Sequence, residues 1–313
     1  MLQRYARWVK PALSILFLAL VIIFLWRNWG ALAESLKHIR DLPAYVYVAG
    51  LMLFSGTVVL AALSYRVLAF NRLPMSELLI VEVAAGFMNK IVPAGLGTLG
   101  THGVYLHNRQ HNAAQATTVI SVNNFLSLVT HLGLLGLALL AGAGDGVIAA
   151  PGRLSVLQLL IVLTLFAACA GAVYVRPVRL AMRTFARHML ESLDRYRKKP
   201  RSLLLAATSL TIMTTVNVAI LTVIALSLGI SLSAPDLLVV YSAGVLVGAA
   251  TPTPGGLVGV EAGLAAGFMA YGVDKQIAFA AALAFRLVTY WFPLIPGFLA
   301  LVWARKLKLL SSD

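Results

Sequence analysis

Residues 251–261 read TPTPGGLVGVE and break an apolar segment that runs from 237 to 272. A related stretch, PAGLGTLG at 93–100, follows Asn89 and Lys90 and breaks a second apolar segment, 76–108. Proline removes a backbone donor and glycine admits turns that other residues resist, so each stretch ends one helix and starts another. Within lipid, non-helical backbone survives only where it is buried in protein or faces water. Either break read alone is a kink for close helix packing. A protected cavity is the preferred reading, because there are two breaks and both carry polar residues.

The surrounding composition sets the class. Of 313 residues, 60% are hydrophobic and 12% charged, and apolar runs of spanning length recur along the chain. These features define an all-α polytopic membrane protein. The runs lack the alternation of a membrane β-barrel strand. The net charge of +14 does not call for nucleic acid, because the basic residues gather at the ends of apolar segments. Cys169 is the single cysteine, which rules out an intramolecular disulfide and argues against a cysteine-based metal site. Residues 1–33 combine a basic start, an apolar run and Ala31-Leu32-Ala33, as a signal peptide would. A retained first helix is preferred because it completes the symmetry described next.

Six uninterrupted spans are expected at 12–26, 44–64, 117–141, 154–175, 203–228 and 276–304, the last long enough to tilt or bend. The 176–202 loop carries nine Lys/Arg and is expected in the cytoplasm, together with both termini. That assignment holds only if each broken segment returns to the side it entered. The two segments therefore read as re-entrant helical hairpins with PAGLG and PTPGG at their tips. Each half then has two spans, a hairpin and a further span, giving repeats over 1–145 and 154–304 within a single transmembrane domain, 1–313. Pro93-Ala94-Gly95-Leu96 matches Pro254-Gly255-Gly256-Leu257 at an offset of 161 residues, and Gly136 falls on Gly297. One hairpin enters from inside and the other from outside, so the repeats are inverted. Such folds bind cargo near the midplane, where broken helices meet.

Ionisable residues at that depth mark the candidate site. Glu82, Lys90, Glu261 and Arg286 all fall inside apolar segments, where a charge costs roughly 2.5–3.5 kcal/mol on insertion scales and calls for a partner or water. Arg286 offers a planar fork suited to phosphate. Glu261 would orient it or take a cationic group. Tyr290 lies one turn further along the same face. A purely structural Glu261–Arg286 ion pair is the competing reading, and the two are compatible. Asn89 and Lys90 would supply donors from the opposite repeat, and Pro93, Gly95, Pro254, Gly255 and Gly256 would shape the tips. The half-helix beginning after each tip would turn its positive end inward, toward an anion. Glu82 and Glu261 are candidate proton carriers. His131 reads first as an interhelical hydrogen bonder. His102, His107 and His111 match no zinc spacing, and TPTPGGLVG lacks the Walker lysine, so neither metal nor cofactor is expected.

On Asn89 with Pro93-Ala94, the run from Pro252 to Glu261, and Arg286, the chain resembles the lysylphosphatidylglycerol synthase transmembrane-region family over nearly its full length. The resemblance implies flippase-like movement of a lipid between leaflets. In multidomain relatives a separate soluble domain aminoacylates phosphatidylglycerol; none is expected after residue 313, so synthase activity is not carried over. Family members often carry Arg and Glu in the first Pro-Ala motif. Gly95 and Thr98 stand there in this chain, and Asn123–Asn124 stand where the next helix often has Arg. These departures weigh against an aminoacyl headgroup.

The leading expectation is a translocase of the bacterial cytoplasmic (inner) membrane, acting on anionic or phosphate-bearing lipids. The alternative is a non-transporting accessory subunit that presents a lipid-linked substrate to an envelope synthase or glycosyltransferase, with the basic loop docking that partner. An intramembrane enzyme ranks third, because no nucleophile–base pair is apparent.

Overall fold

A computed structural model describes residues 29–92, 95–143, 196, 199–251 and 253–310. The expected spans 12–26 and 154–175, most of the basic loop, Cys169, Pro93, Ala94 and Pro252 lie outside the described residues.

All the described secondary structure that repeats is helical. A helix α1 covers residues 29–41. It is followed by α2 (Ala44–Leu68), α3 (Met75–Ile91), α4 (Leu96–Asn108) and α5 (Ala113–Leu140). Then come α6 (Pro200–Ser227), α7 (Ala234–Ala250), α8 (Gly259–Ala270), α9 (Lys275–Arg286) and α10 (Leu294–Lys306). A π-helical turn, Leu287–Trp291, joins α9 to α10. The starts follow sequence chemistry. Asn112 and Gln115 form a reciprocal capping box at α5, while Ser233 and Asp274 cap α7 and α9.

Among the described residues, four stretches are long and apolar enough to cross a membrane: Ala44–Leu68, Ala113–Leu140, Pro200–Ser227 and Lys275–Lys306. They coincide with four of the expected spans, and the chain is a multi-pass membrane protein. The long last stretch is not a uniform α-helix. The π turn and Pro293 sit where its hydrogen-bond ladder is interrupted.

The two broken segments fold as antiparallel pairs, α3 with α4 and α7 with α8. Their bases lie at opposite ends of the molecule. At one end Asn71 donates from Nδ2 to the carbonyls of Arg109 and Gln110, both at 3.2 Å. There Tyr196 donates to the Leu68 carbonyl at 2.8 Å, and Asn108 to that of Leu309 at 3.2 Å. The start and finish of the first hairpin therefore share an end with the C-terminal residues. At the other end, Ser35 Oγ donates to the Gln276 carbonyl at 2.7 Å. Its apolar cluster joins Ile39 and Leu42 to Leu237, Phe268 and Ala278, at the base of the second hairpin.

Glycines let the second hairpin close tightly. A Cβ on Gly263 would lie 2.6 Å from the Ala243 carbonyl oxygen, so only hydrogen fits between the legs. The last helix then ties the hairpins together. Its first part, α9, packs on α8, and its second part, α10, packs on α3. Between those two contacts lie Arg286 and Tyr290.

Candidate functional site

The second tip is tightly constrained. Gly255, Gly256 and Val258 all hold left-handed backbone, with φ of 57°, 66° and 69°. A β-branched residue pays a real cost there. Pro254 precedes this turn and accepts from the Leu257 N–H at 3.3 Å, while Thr253 Oγ1 donates to the Leu257 carbonyl at 2.9 Å. Helix α8 starts next, with Glu261 in its first turn. The carboxylate thus occupies the position where the helix dipole favours an anion.

Arg286 meets this tip from α9. Its Nε donates to Glu261 Oε1 at 2.8 Å and its Nη2 to the Gly255 carbonyl at 2.9 Å. Its guanidinium carbon lies 4.4 Å from the centroid of the Tyr290 ring. Both charged residues are buried, which satisfies the demand for pairing at depth. Arg286 thus holds the tip through two hydrogen bonds, with its guanidinium over the Tyr290 ring. Glu261 Oε2 remains buried without a hydrogen-bond partner among the described residues.

Tyr290 extends the cluster into the other half of the chain. Its hydroxyl donates to the Lys90 carbonyl at 3.0 Å, across 200 residues of sequence. A Cβ on Gly255 would lie 2.5 Å from the Tyr290 ring and 3.3 Å from Lys90 Cα. The second tip thus seats directly against the end of α3, which glycine alone permits. Lys90 is different from Arg286. Its ammonium makes one long contact, 3.4 Å to the Gly86 carbonyl, and lies 5.8 and 5.9 Å from the Phe54 and Tyr290 ring centroids. No carboxylate pairs with it among the described residues.

Two cavities flank this seam. One, of about 450 Å³, lies between the tips and is lined by Asn89, Gly95, Thr251, Thr253, Gly255 and Gly256, with apolar neighbours and no ionisable side chain. The other, of about 390 Å³, has walls from Leu51, Phe54, Val58, Phe292 and Pro296, with Glu82 and Lys90 as its charged lining. Adjacent residues Asn89 and Lys90 thus serve different cavities.

The structure brings together Lys90, Gly255, Glu261, Arg286 and Tyr290, and places Asn89, Gly95 and Gly256 around the neighbouring space. Pro254 shapes the second tip without lining either cavity, and Pro93 lies outside the described residues. Glu82 stands apart from the Glu261–Arg286 pair. Its Oε1 lies 2.8 Å from His102 Nε2 on the facing leg. That histidine stacks on Tyr65, with centroids 3.9 Å apart and planes 12° from parallel. No spacing signature marks the Glu82–His102 pair, although one geometric signal does. Glu82 and His102 are equidistant from Val92, and residues equidistant from the tip of an antiparallel hairpin face each other. His131 is an interhelical hydrogen bonder, 3.1 Å from Ser242 Oγ on α7.

Buried charge pairs, paired broken helices and apolar spans define an integral membrane protein with a polar interior. The chain belongs to a family described as the lysylphosphatidylglycerol synthase TM region, whose profile matches residues 8–297. That family is the membrane part of these synthases, apart from their catalytic domain, so the chain is an integral membrane protein related to lipid handling. No curated protein sequence matches it significantly.

Proposed function

We propose that this protein moves a phosphate-bearing lipid between the leaflets of a bacterial cytoplasmic membrane. The observation that carries the reading is Lys90: a half-buried side chain facing a cavity, without a carboxylate partner among the described residues. A buried charge left unpaired is costly, and an anionic cargo would compensate it. Lys90 rather than Arg286 is then the phosphate-holding group, with Arg286 and Glu261 keeping the tip in place. The apolar walls beside Lys90 suit acyl chain. The neighbouring space lined by Asn89, Thr251 and Thr253 suits the uncharged hydrogen-bonding part of a headgroup. Helix α4 has no acidic residue in its first turn, so its positive end adds to the attraction.

The architecture we infer has six spans and two re-entrant hairpins arranged as inverted repeats, with both termini in the cytoplasm. The packing supports it, because contacts come in matched pairs. Helix α2 packs on its counterpart α6, while α10 packs on α3 just as α5 packs on α7. Each repeat's last helix thus rests on the first leg of the other repeat's hairpin. Rocking about this seam would open the cavities to alternate sides.

Exchange of fluorescent phosphatidylglycerol between leaflets of proteoliposomes tests the reading. Exchange dependent on Lys90 supports it. Its absence in the purified wild type, across anionic, zwitterionic and polyprenyl-phosphate lipids, would instead favour the accessory subunit that presents lipid to a synthase.

A further inference from the structure

The Glu82–His102 contact has a donor problem that only a bound proton solves. His102 Nδ1 lies 2.9 Å from the Thr98 carbonyl oxygen. A carbonyl can only accept, so Nδ1 carries a hydrogen. A neutral imidazole would then present the lone pair of Nε2 to Glu82 Oε1 at 2.8 Å. Two acceptors do not approach that closely within a buried site. One further proton therefore occupies the contact, held as an imidazolium beside a carboxylate or as a neutral acid beside an imidazole. His111 shows the contrast: its Nε2 accepts from the Phe70 and Asn71 N–H groups at 3.0 and 3.3 Å, and its neutral ring is satisfied.

We propose that Glu82 and His102 form a proton-binding site coupled, through the cavity that Glu82 shares with Lys90, to occupancy of that cavity by an anion. This rests on the translocation reading for the identity of the anion, though not for the proton. With the proton bound, the pair is neutral and Lys90 is the uncompensated charge. Without it, the pair carries −1 in the same cavity and opposes an anion.

Glu82 and Lys90 lie on one face of α3 with Gly86 between them, about 12 Å apart along the helix. At an effective dielectric near 20, a unit charge at that distance changes anion affinity roughly tenfold. By reciprocity, the anion raises proton affinity by the same factor.

The other titratable groups around the pair are accounted for. From α2, Tyr65 stacks on the imidazole. On α3, Glu77 is held by Arg109 at 2.5 Å and by the Tyr105 hydroxyl of α4 at 3.2 Å. Helix α5 contributes the neutral Asn123, bonded to Ser64. On α10, Arg305 lines a separate cleft with Gly97, Gly100 and Thr101.

The test compares wild type with Glu82→Gln, whose amide can donate to Nε2 without an added proton and so keeps the hairpin bonded. Infrared difference spectra of the full chain in lipid should show a carboxyl or imidazolium band that titrates in wild type and is missing in the variant. A carboxylate beside a neutral imidazole from mildly acidic to mildly alkaline pH would overturn the site. In proteoliposomes with equal pH on both sides, exchange of fluorescent phosphatidylglycerol should rise about tenfold in wild type on acidification and lose that dependence in Glu82→Gln. A variant that keeps the wild-type pH profile would overturn the coupling. If wild type exchanges no lipid at any pH, the translocation reading and the coupling fall together, and the infrared titration alone decides the proton site.

Discussion

Arg286 Nε donates to Glu261 Oε1 at 2.8 Å, fastening the last helix to the first turn of α8, the second leg of the second hairpin. A second bond from the same guanidinium reaches the Gly255 carbonyl at the tip. Removing one partner of a buried pair leaves the other charge uncompensated and costs about 3–5 kcal/mol. Arg286→Ala should therefore lower the unfolding midpoint in detergent markedly. Adding Glu261→Gln should recover part of the loss, because no orphaned carboxylate remains. An Arg286→Ala protein as stable as wild type would assign the guanidinium to cargo instead.

Gly255 makes a sharper test of the seam. A Cβ there would meet the Tyr290 ring, and left-handed backbone itself costs an ordinary residue roughly 1–2 kcal/mol. Gly255→Ala should destabilise the protein by at least that much. Gly103→Ala on α4, where a Cβ meets nothing within 4 Å, should fold normally. Thermal unfolding of the two variants side by side separates tip contact from general glycine sensitivity.

Tyr290→Phe removes the hydroxyl that donates to the Lys90 carbonyl and keeps the ring under Arg286. Hydrogen bonds between membrane helices average about 0.6 kcal/mol. A small loss of stability is expected, well below that of Arg286→Ala. A loss as large as Arg286→Ala would move the main fastening from the guanidinium to the hydroxyl.

The inferred topology predicts which loops share a face. In a Cys169→Ser background, single cysteines at Arg72, Ala114 and Lys306 should react with an impermeant thiol reagent from the cytoplasmic side. Those at Ser231 and Lys275 should react from the other. Labelling of the Arg72 and Ala114 positions from opposite faces would mean that the first broken segment crosses the membrane an odd number of times, which would remove the inverted symmetry.

Much of this arrangement was legible in the sequence, for identifiable reasons. Proline and glycine inside apolar runs mark helix breaks whatever the tertiary context, so both hairpins and the four described spans could be placed within a few residues. Glu261 and Arg286 stood out because a charge at depth demands a partner. What Arg286 does with its remaining donors was hidden, since the Gly255 carbonyl becomes an acceptor only when the tip folds back. With Arg286 paired, Lys90 is the cation at this seam that has no carboxylate partner among the described residues. The separation of Asn89 and Lys90 into different cavities depends on where the second tip lands, which no local pattern encodes. His102 is obscured in the sequence because its neighbours along the chain are His107 and His111. Its partner lies across the hairpin.

The proposed role of Lys90 is to hold an anionic lipid during passage. It is tested most directly by leaflet exchange of fluorescent phosphatidylglycerol in proteoliposomes containing wild type, Lys90→Gln and Lys90→Arg, each first shown to be folded by thermal unfolding. Exchange is expected in wild type, with at least tenfold slower exchange in Lys90→Gln for loss of one charge-assisted phosphate contact and partial retention in Lys90→Arg. Equal exchange in a folded Lys90→Gln protein would contradict it.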